Sequence, residues 1–434
     1  MVILWQWAVR ILFVLAPGII HPDEHFQSIV PVYNYIYGIE TNDLPWEFRS
    51  GARSFGPLFV TYGIPIYLLK ILCISSPFVL FLMTRIAMFL YSLILDYFVF
   101  KIAPKGYNLY LTSAIVMVFS FRSFSNTIEL YLVCLTLLFN NPILLGAITT
   151  IGLFNRITYP LFVVPYLLHQ CYLKFKSNSF FSFIFFYFKF LVGAGTVATI
   201  FITIDTFIYN GDLILPLRIP IIDNLLYNLE YDNLQQHGIH PRFTHVLVNV
   251  PLLFGPLLFS YFKQLYLGID RNAIFAIFPI FALSLFPHQE PRFLIPVFPY
   301  LLLYIRNNSQ SFNVSFKPQL FHGLLIGTIF YFHQGGLIPI ALNHKSVDRI
   351  YFYKTYGMPH LFMPTSTVIN VGNSREKMKM VKDDFVVMPS LGDCACWTSY
   401  TCEFGRYKLE YVGKQPHLSF DHGLDILVCV WKVK

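Results

Sequence analysis

The sequence predicts an all-α polytopic membrane protein followed by a small region outside the membrane. Three observations predict it. First, 56% of the 434 residues are apolar and 18% aromatic. Only 12% are charged, against roughly 25% in an average soluble domain. A soluble chain of this length would form about two or three domains, and 31 basic with 23 acidic side chains are too few to cover their surface. Second, the apolar residues fall in long successive runs. Third, the character changes after about residue 340, where charge rises and apolar runs shorten. Seven cysteines in this length exclude a secreted disulfide scaffold. The apolar content excludes intrinsic disorder.

The elements follow in order. The run 2–20 is interrupted only by Gln6 and Arg10. Pro17, Gly18 and Ile19 make a poor cleavage site, so the run reads as an uncleaved first span. Further runs lie at 57–75, 77–99, 108–121, 128–139, 141–154, 159–173, 179–208, 245–264, 270–287, 292–305 and 318–340. Ten to twelve transmembrane helices are expected. Runs under about 18 residues read as broken or re-entrant pieces, tolerated where protein surrounds them. Central strands of a parallel sheet are the competing reading. Too many runs are too long for it, and no glycine-rich nucleotide loop follows any of them.

Lys70, Lys101, Lys105, Lys174 and Lys176 sit in short loops and mark the cytoplasmic side. The loop 21–56 carries Asp23, Glu24, Glu40, Asp43 and Glu47, and is expected on the opposite side despite Arg49 and Arg53. Asn307 and Asn313 head glycosylation-type triplets, close to a span and equally readable as chance. The chain thus divides into a membrane domain, 1–340, and a small strand-containing domain, 341–434. In the latter, Cys394, Cys396, Cys402 and Cys429 are expected to form one or two disulfides, with pairing not readable from spacing. A structural zinc site is the competitor, but its spacings fit poorly.

Polar chemistry gathers at the ends of apolar runs. His21-Pro22-Asp23-Glu24 begins where the first run stops. A carboxylate at a low-dielectric boundary can be tuned as a proton acceptor. The plainer reading is a cap, with Asp23 starting the helix that holds Phe26 and Ile29. Trp46-Glu47-Phe48-Arg49 and Arg53 continue the loop with aromatic faces and anion-binding guanidiniums. Between two late runs stands His288-Gln289-Glu290-Pro291-Arg292, either a phosphate-binding knot or a charged turn. His237, His240 and Arg242 are plausible contacts to a polar ligand. The spacing of the two histidines is weak evidence for a metal.

The motifs His21-Pro22-Asp23-Glu24 with Phe26-Gln27, then Leu44-Pro45-Trp46-Glu47-Phe48-Arg49, resemble the dolichyl-phosphate-mannose-dependent mannosyltransferases of the endoplasmic reticulum, family 22. His288-Gln289-Glu290-Pro291-Arg292-Phe293 looks like the His-x-Glu-x-Arg-Phe signature of the same family. The stretches 224–228 and 237–245, with Pro416 to Asp421, look most like the branch that adds the fourth mannose of the glycosylphosphatidylinositol (GPI) precursor. The resemblance implies a GT-C fold with an active site facing the lumen. It implies an inverting α-1,2 transfer from dolichyl phosphate β-D-mannose to a GPI-precursor glycolipid, without nucleotide or cofactor. Asp23 would be the base, with Glu24 as the alternative or as an acceptor-orienting group. His288 and Arg292, with Arg49 and Arg53 in reserve, would hold the leaving phosphate. Glu290 would brace Arg292 or pair with it structurally, and His237, His240 and Arg242 would contact donor or acceptor. No metal is expected, although Asp23 and Glu24 together could hold one cation.

Sister enzymes acting on the third GPI mannose or on the lipid-linked N-glycan precursor share the donor. Asp23 and Arg292 therefore do not discriminate among them. A transporter would explain Asp96 and Asp205 as a pathway, but not the concentration of charge at loop edges. A noncatalytic subunit fits poorly with two intact polar motifs. The net charge of +8 reflects short basic loops, not nucleic-acid binding. The expected partners are the two lipid-borne substrates and the membrane.

Overall fold

The computed structural model describes residues 2–39, 44–177, 180–213, 215–230, 233, 238–308, 315–390, 394–396, 400–420 and 424–434. Glu40, Asp43, His237 and Asn313 lie outside the described residues, as does the side chain of Asn307.

The chain is mostly helical before residue 344. The helices are α1 Val2–Val14, α2 Asp23–Phe26, α3 Ile29–Tyr37, α4 Trp46–Arg49 and α5 Gly56–Ile71. There follow α6 Pro77–Ile102, α7 Tyr107–Leu111, α8 Ser125–Leu138, α9 Pro142–Asn155, α10 Pro160–Ser177 and α11 Phe180–Asn210. Then come α12 Pro220–Leu229, α13 His245–Phe254, α14 Leu257–Leu267, α15 Arg271–Ser284, α16 Phe298–Asn308, α17 Lys317–Phe332 and α18 Leu337–Asn343.

Among the described residues, two helices are long and apolar enough to cross a membrane: α6 with 26 residues and α11 with 31. Shorter apolar helices include α5, α8, α9, α13 and α15. The shortening has local causes. The first run stops being helical at Val14, ahead of Pro17 and Gly18. The run 245–264 is cut at Gly255, and 292–305 begins as a tight 3₁₀ segment, Pro291–Val297, with two prolines.

The residues form two compact units. The first comprises Met1–Trp7, Pro45–Ile64 and Met88–Leu324; the second comprises Ala8–Leu44, Pro65–Ala87 and Leu325–Lys434. Within the first unit, α9 and α11 pack so closely that a Cβ on Gly146 would strike the Phe190 carbonyl, and one on Gly193 the Ile143 carbonyl. Small residues permit such backbone approach in a membrane, where apolar burial alone does not drive helices together. Asn141 starts α9 by accepting from the Ile143 N–H at 2.9 Å, and Asp270 starts α15 by accepting from the Asn272 N–H at 2.8 Å.

The second unit corrects the expectation of an all-α protein with a small tail. Its C-terminal part is a substantial mixed sheet of six strands, ordered β2-β1-β3-β6-β5-β4. The strands are β1 Arg349–Tyr353, β2 Thr367–Gly372, β3 Phe385–Pro389, β4 Thr401–Phe404, β5 Tyr407–Ser419 and β6 Asp425–Val433. β1 pairs in parallel with both β2 and β3, and the remaining pairs are antiparallel. Such parallel pairs join segments with long connections, which local patterning does not reveal. The core holds Tyr351, Val386, Met388, Leu409, Cys429 and Trp431, all buried. Cys394 bonds Cys402 and Cys396 bonds Cys429, so the four cysteines form two disulfides, where the sequence led to an expectation of one or two without their pairing.

Candidate active site

The second unit holds the first motif. The chain leaves the first apolar run at Gly18 to Ile20 and forms the short helix α2. Asp23 is not its cap: the cap position is Pro22, and the Asp23 N–H donates to His21 Nδ1 at 3.2 Å. The two adjacent carboxylates have different surroundings. Glu24 is fully buried, 2.6 Å from the equally buried Arg85 of α6, and accepts from the Ile20 N–H at 3.4 Å. Arg85 also donates to the Gly18 carbonyl at 3.4 Å and lies over the Phe81 ring. Asp23 keeps 21% of its side chain exposed, with Oδ2 3.4 Å from His21 Nδ1. His25 points inward, its ring edge-on to Phe362 at 5.3 Å.

The first unit holds the second motif. Glu290 accepts from Arg292 through two nitrogens and faces His288 Nε2 at 2.7 Å. The Arg292 guanidinium is nearly buried and rests against the rings of Phe124 and Phe293. Phe293 also carries Arg156, which follows α9 and stands 3.7 Å from the buried Glu129 of α8. Arg156 lies within electrostatic reach of Arg53 and Arg292 as well as Glu129 and Glu290. Three guanidiniums from three segments thus face two carboxylates, which leaves a cationic surplus suited to a phosphate.

The loop carrying Arg53 is fixed from α11. Asp205, fully buried, accepts from the Phe55 N–H at 2.7 Å, and Tyr209 donates to the Arg53 carbonyl at 2.6 Å. Arg49 is exposed. Trp46 of α4 stacks on Tyr227 of α12 with ring centroids 3.7 Å apart. The segment around His240 clasps the 288–292 knot. The His240 N–H donates to the Pro287 carbonyl at 2.8 Å, its ring lies 5.8 Å from that of His288, and Arg242 donates to the Leu285 carbonyl. Among the described residues no three His, Cys, Asp or Glu side chains converge as a metal site requires.

A model of the Alg9-like mannosyltransferase family matches residues 1–365. The chain belongs to this family. As an Alg9-like mannosyltransferase it is a glycosyltransferase, and its apolar helices make it membrane-associated. It is 34% identical to the Debaryomyces hansenii protein named GPI mannosyltransferase 4, over 78% of this chain and 72% of that one. The Schizosaccharomyces pombe protein of the same name is 31% identical, over 81% and 73%. The Saccharomyces cerevisiae protein so named is 32% identical, over 87% and 81%. No solved structure matches the chain significantly.

Three residues of this Alg9-like chain make contacts that a motif reading does not give. Arg85 is a lone arginine inside an apolar helix, a signal that does stand out in sequence. Arg156 follows an apolar helix and reads in sequence as either cavity lining or an interfacial pair; the structure sets it beside Phe293 and Glu129. Gln289 is buried as a bolt. Its Oε1 accepts from the His245 N–H at 2.8 Å, while Nε2 donates to the Ser284 and Phe286 carbonyls at 3.0 and 3.1 Å. The sequence shows Gln289 as one of the hydrogen-bonding side chains of the knot, but not the backbone groups that it holds.

Proposed function

We propose that this mannosyltransferase transfers the fourth mannose of the GPI precursor from dolichyl phosphate β-D-mannose, forming an α-1,2 linkage with inversion. The agreement in name among relatives of at least 31% identity supports the acceptor. One observation supports the chemistry: of two neighbouring carboxylates, Glu24 is fully buried against Arg85, while Asp23 keeps 21% of its side chain exposed beside His21. Asp23 is then the general base that takes the proton of the attacking 2-hydroxyl. Glu24 fixes the loop, which leaves Asp23 the acceptor of that proton. The departing dolichyl phosphate is already anionic and needs positive charge, not a general acid. Arg292 supplies it, with His288 paired to Glu290 beside it.

In this reading residues 1–340 form a GT-C catalytic domain in the endoplasmic reticulum membrane, and 341–434 face the lumen. The disulfides support that side, because they persist in an oxidising compartment. The experiment supplies membranes containing the protein with dolichyl phosphate mannose and, separately, GPI lipids bearing two or three mannoses or the N-glycan precursor. A four-mannose GPI product is expected. Transfer only to another acceptor would assign a sister reaction. Asp23→Asn should abolish transfer at unchanged protein level, a loss on the order of 100-fold or more. Full activity in that variant overturns the base.

A further inference from the structure

The loop that carries Asp23 is gripped from the far end of the chain. Ile19 exchanges both of its backbone hydrogen bonds with one residue, His333, which directly follows α17. The Ile19 N–H donates to the His333 carbonyl at 2.9 Å, and His333 Nδ1 lies 2.7 Å from the Ile19 carbonyl. A carbonyl oxygen only accepts, so Nδ1 carries the proton. A Cβ on Gly18 would strike the Phe330 carbonyl, so the approach also depends on the absence of a side chain there. With Arg85 on the Gly18 carbonyl and Glu24 on the Ile20 N–H, the three residues before His21 are all tied.

His333 is in turn held by the sheet. It forms a parallel bridge with Leu418, and the next residue, Gln334, donates from its backbone N–H to the Leu418 carbonyl at 2.8 Å. Gln334 is fully buried. Its Nε2 donates to Ser419 Oγ at 3.2 Å, and its Oε1 accepts from the Tyr356 N–H at 3.4 Å. The Tyr356 ring lies edge-on to His333 at 5.6 Å and to His21 at 6.2 Å. Segments around residues 19, 333, 356 and 418 therefore form one hydrogen-bonded knot within the second unit.

We propose that His333 and Gln334 are positioning residues that set the Asp23 loop from the C-terminal sheet, making that sheet part of the transfer machinery. Neither side chain is assigned a contact with substrate; both act through the backbone at Ile19 and the ring of Tyr356. The proposal rests on Asp23 as the base.

The test compares His333→Leu, His333→Asn and Gln334→Gly with Asp23→Asn, in membranes with matched protein levels, reading kcat and donor KM. His333→Leu removes the donor to Ile19. His333→Asn returns an N–H at nearly the position of Nδ1. Gln334→Gly removes the links to Ser419 and Tyr356, and glycine suits the φ of +52° at that position. Misplacing a reacting group by an ångström costs on the order of 100-fold. We expect kcat to fall about 10- to 100-fold in His333→Leu and Gln334→Gly with donor KM little changed, and His333→Asn to recover most of it. Wild-type kcat in His333→Leu, beside an inactive Asp23→Asn, overturns the positioning role and leaves the base standing. Full activity in Asp23→Asn removes the base, and the positioning proposal falls with it. Lower protein levels before matching, with wild-type kcat after it in all three positioning variants, overturn the proposal in favour of a purely structural role.

Discussion

Glu24 and Asp23 show how one position along a short helix changes the role of the same functional group. The Glu24–Arg85 pair is removed from water on both sides. Deleting one partner leaves the other charge buried without compensation, at about 3–5 kcal/mol. Arg85→Leu is therefore expected to lower the level and thermal stability of the protein in detergent, beyond any effect on transfer. Arg85→Leu combined with Glu24→Leu should recover much of that stability, because no charge is then stranded. Stability of the single variant equal to wild type would show that the pair carries no such load. Asp23 itself was legible in sequence, since charge at the end of an apolar run stands out. Its neighbour's partner was not, because nothing local relates residue 24 to residue 85. The same holds for Arg156, whose meaning depends on Phe293 and Glu129.

At the scale of elements, length and hydropathy made the long helices legible. The run 77–99 becomes α6 and 179–208 becomes α11, each within a few residues. Interruptions were harder to read, because a break depends on what packs against it. The run 318–340 is the clearest case: it splits between α17 and α18 at the residues that meet Leu418. Close packing of α9 on α11 yields a paired prediction. Gly193→Val forces a side chain against the Ile143 backbone and should cost at least about 1–3 kcal/mol. Gly195→Ala lies on the same helix with nothing within 4 Å. It should be neutral or stabilise by up to about 1 kcal/mol. Thermal unfolding in detergent checks both, and equal melting temperatures would refute the contact.

At the scale of the molecule, the sheet was foreseen only as strands of a small region. Its order could not be read from short apolar runs, because β3 finds β6 across an intervening hairpin arm and β1 finds both neighbours in parallel. The sheet also carries an acid-sensitive group. His417 is 1% exposed, and neither ring nitrogen has a hydrogen-bond partner among the described residues. Burial, aided by the nearby His333, pushes its pKa down to about 3, from about 6.5 in an unfolded chain. The unfolded form therefore takes up a proton first as pH falls. The stabilising contribution of neutral His417 is complete above about pH 6.5 and drains away toward about pH 3. His417→Phe should flatten that decline by about 2 kcal/mol at about pH 5. Identical pH dependence in the two proteins, followed by limited proteolysis of the sheet, would show that another group titrates.

The bond between Ile19 and His333 spans 314 positions of sequence. At synthesis rates of about 5–20 residues per second, the Asp23 loop emerges roughly 15 to 60 s before its clamp does. During that interval Ile19 lacks its native counterpart, while Arg85 is made far sooner, so the last of the loop's anchors is tied to the pace of the ribosome.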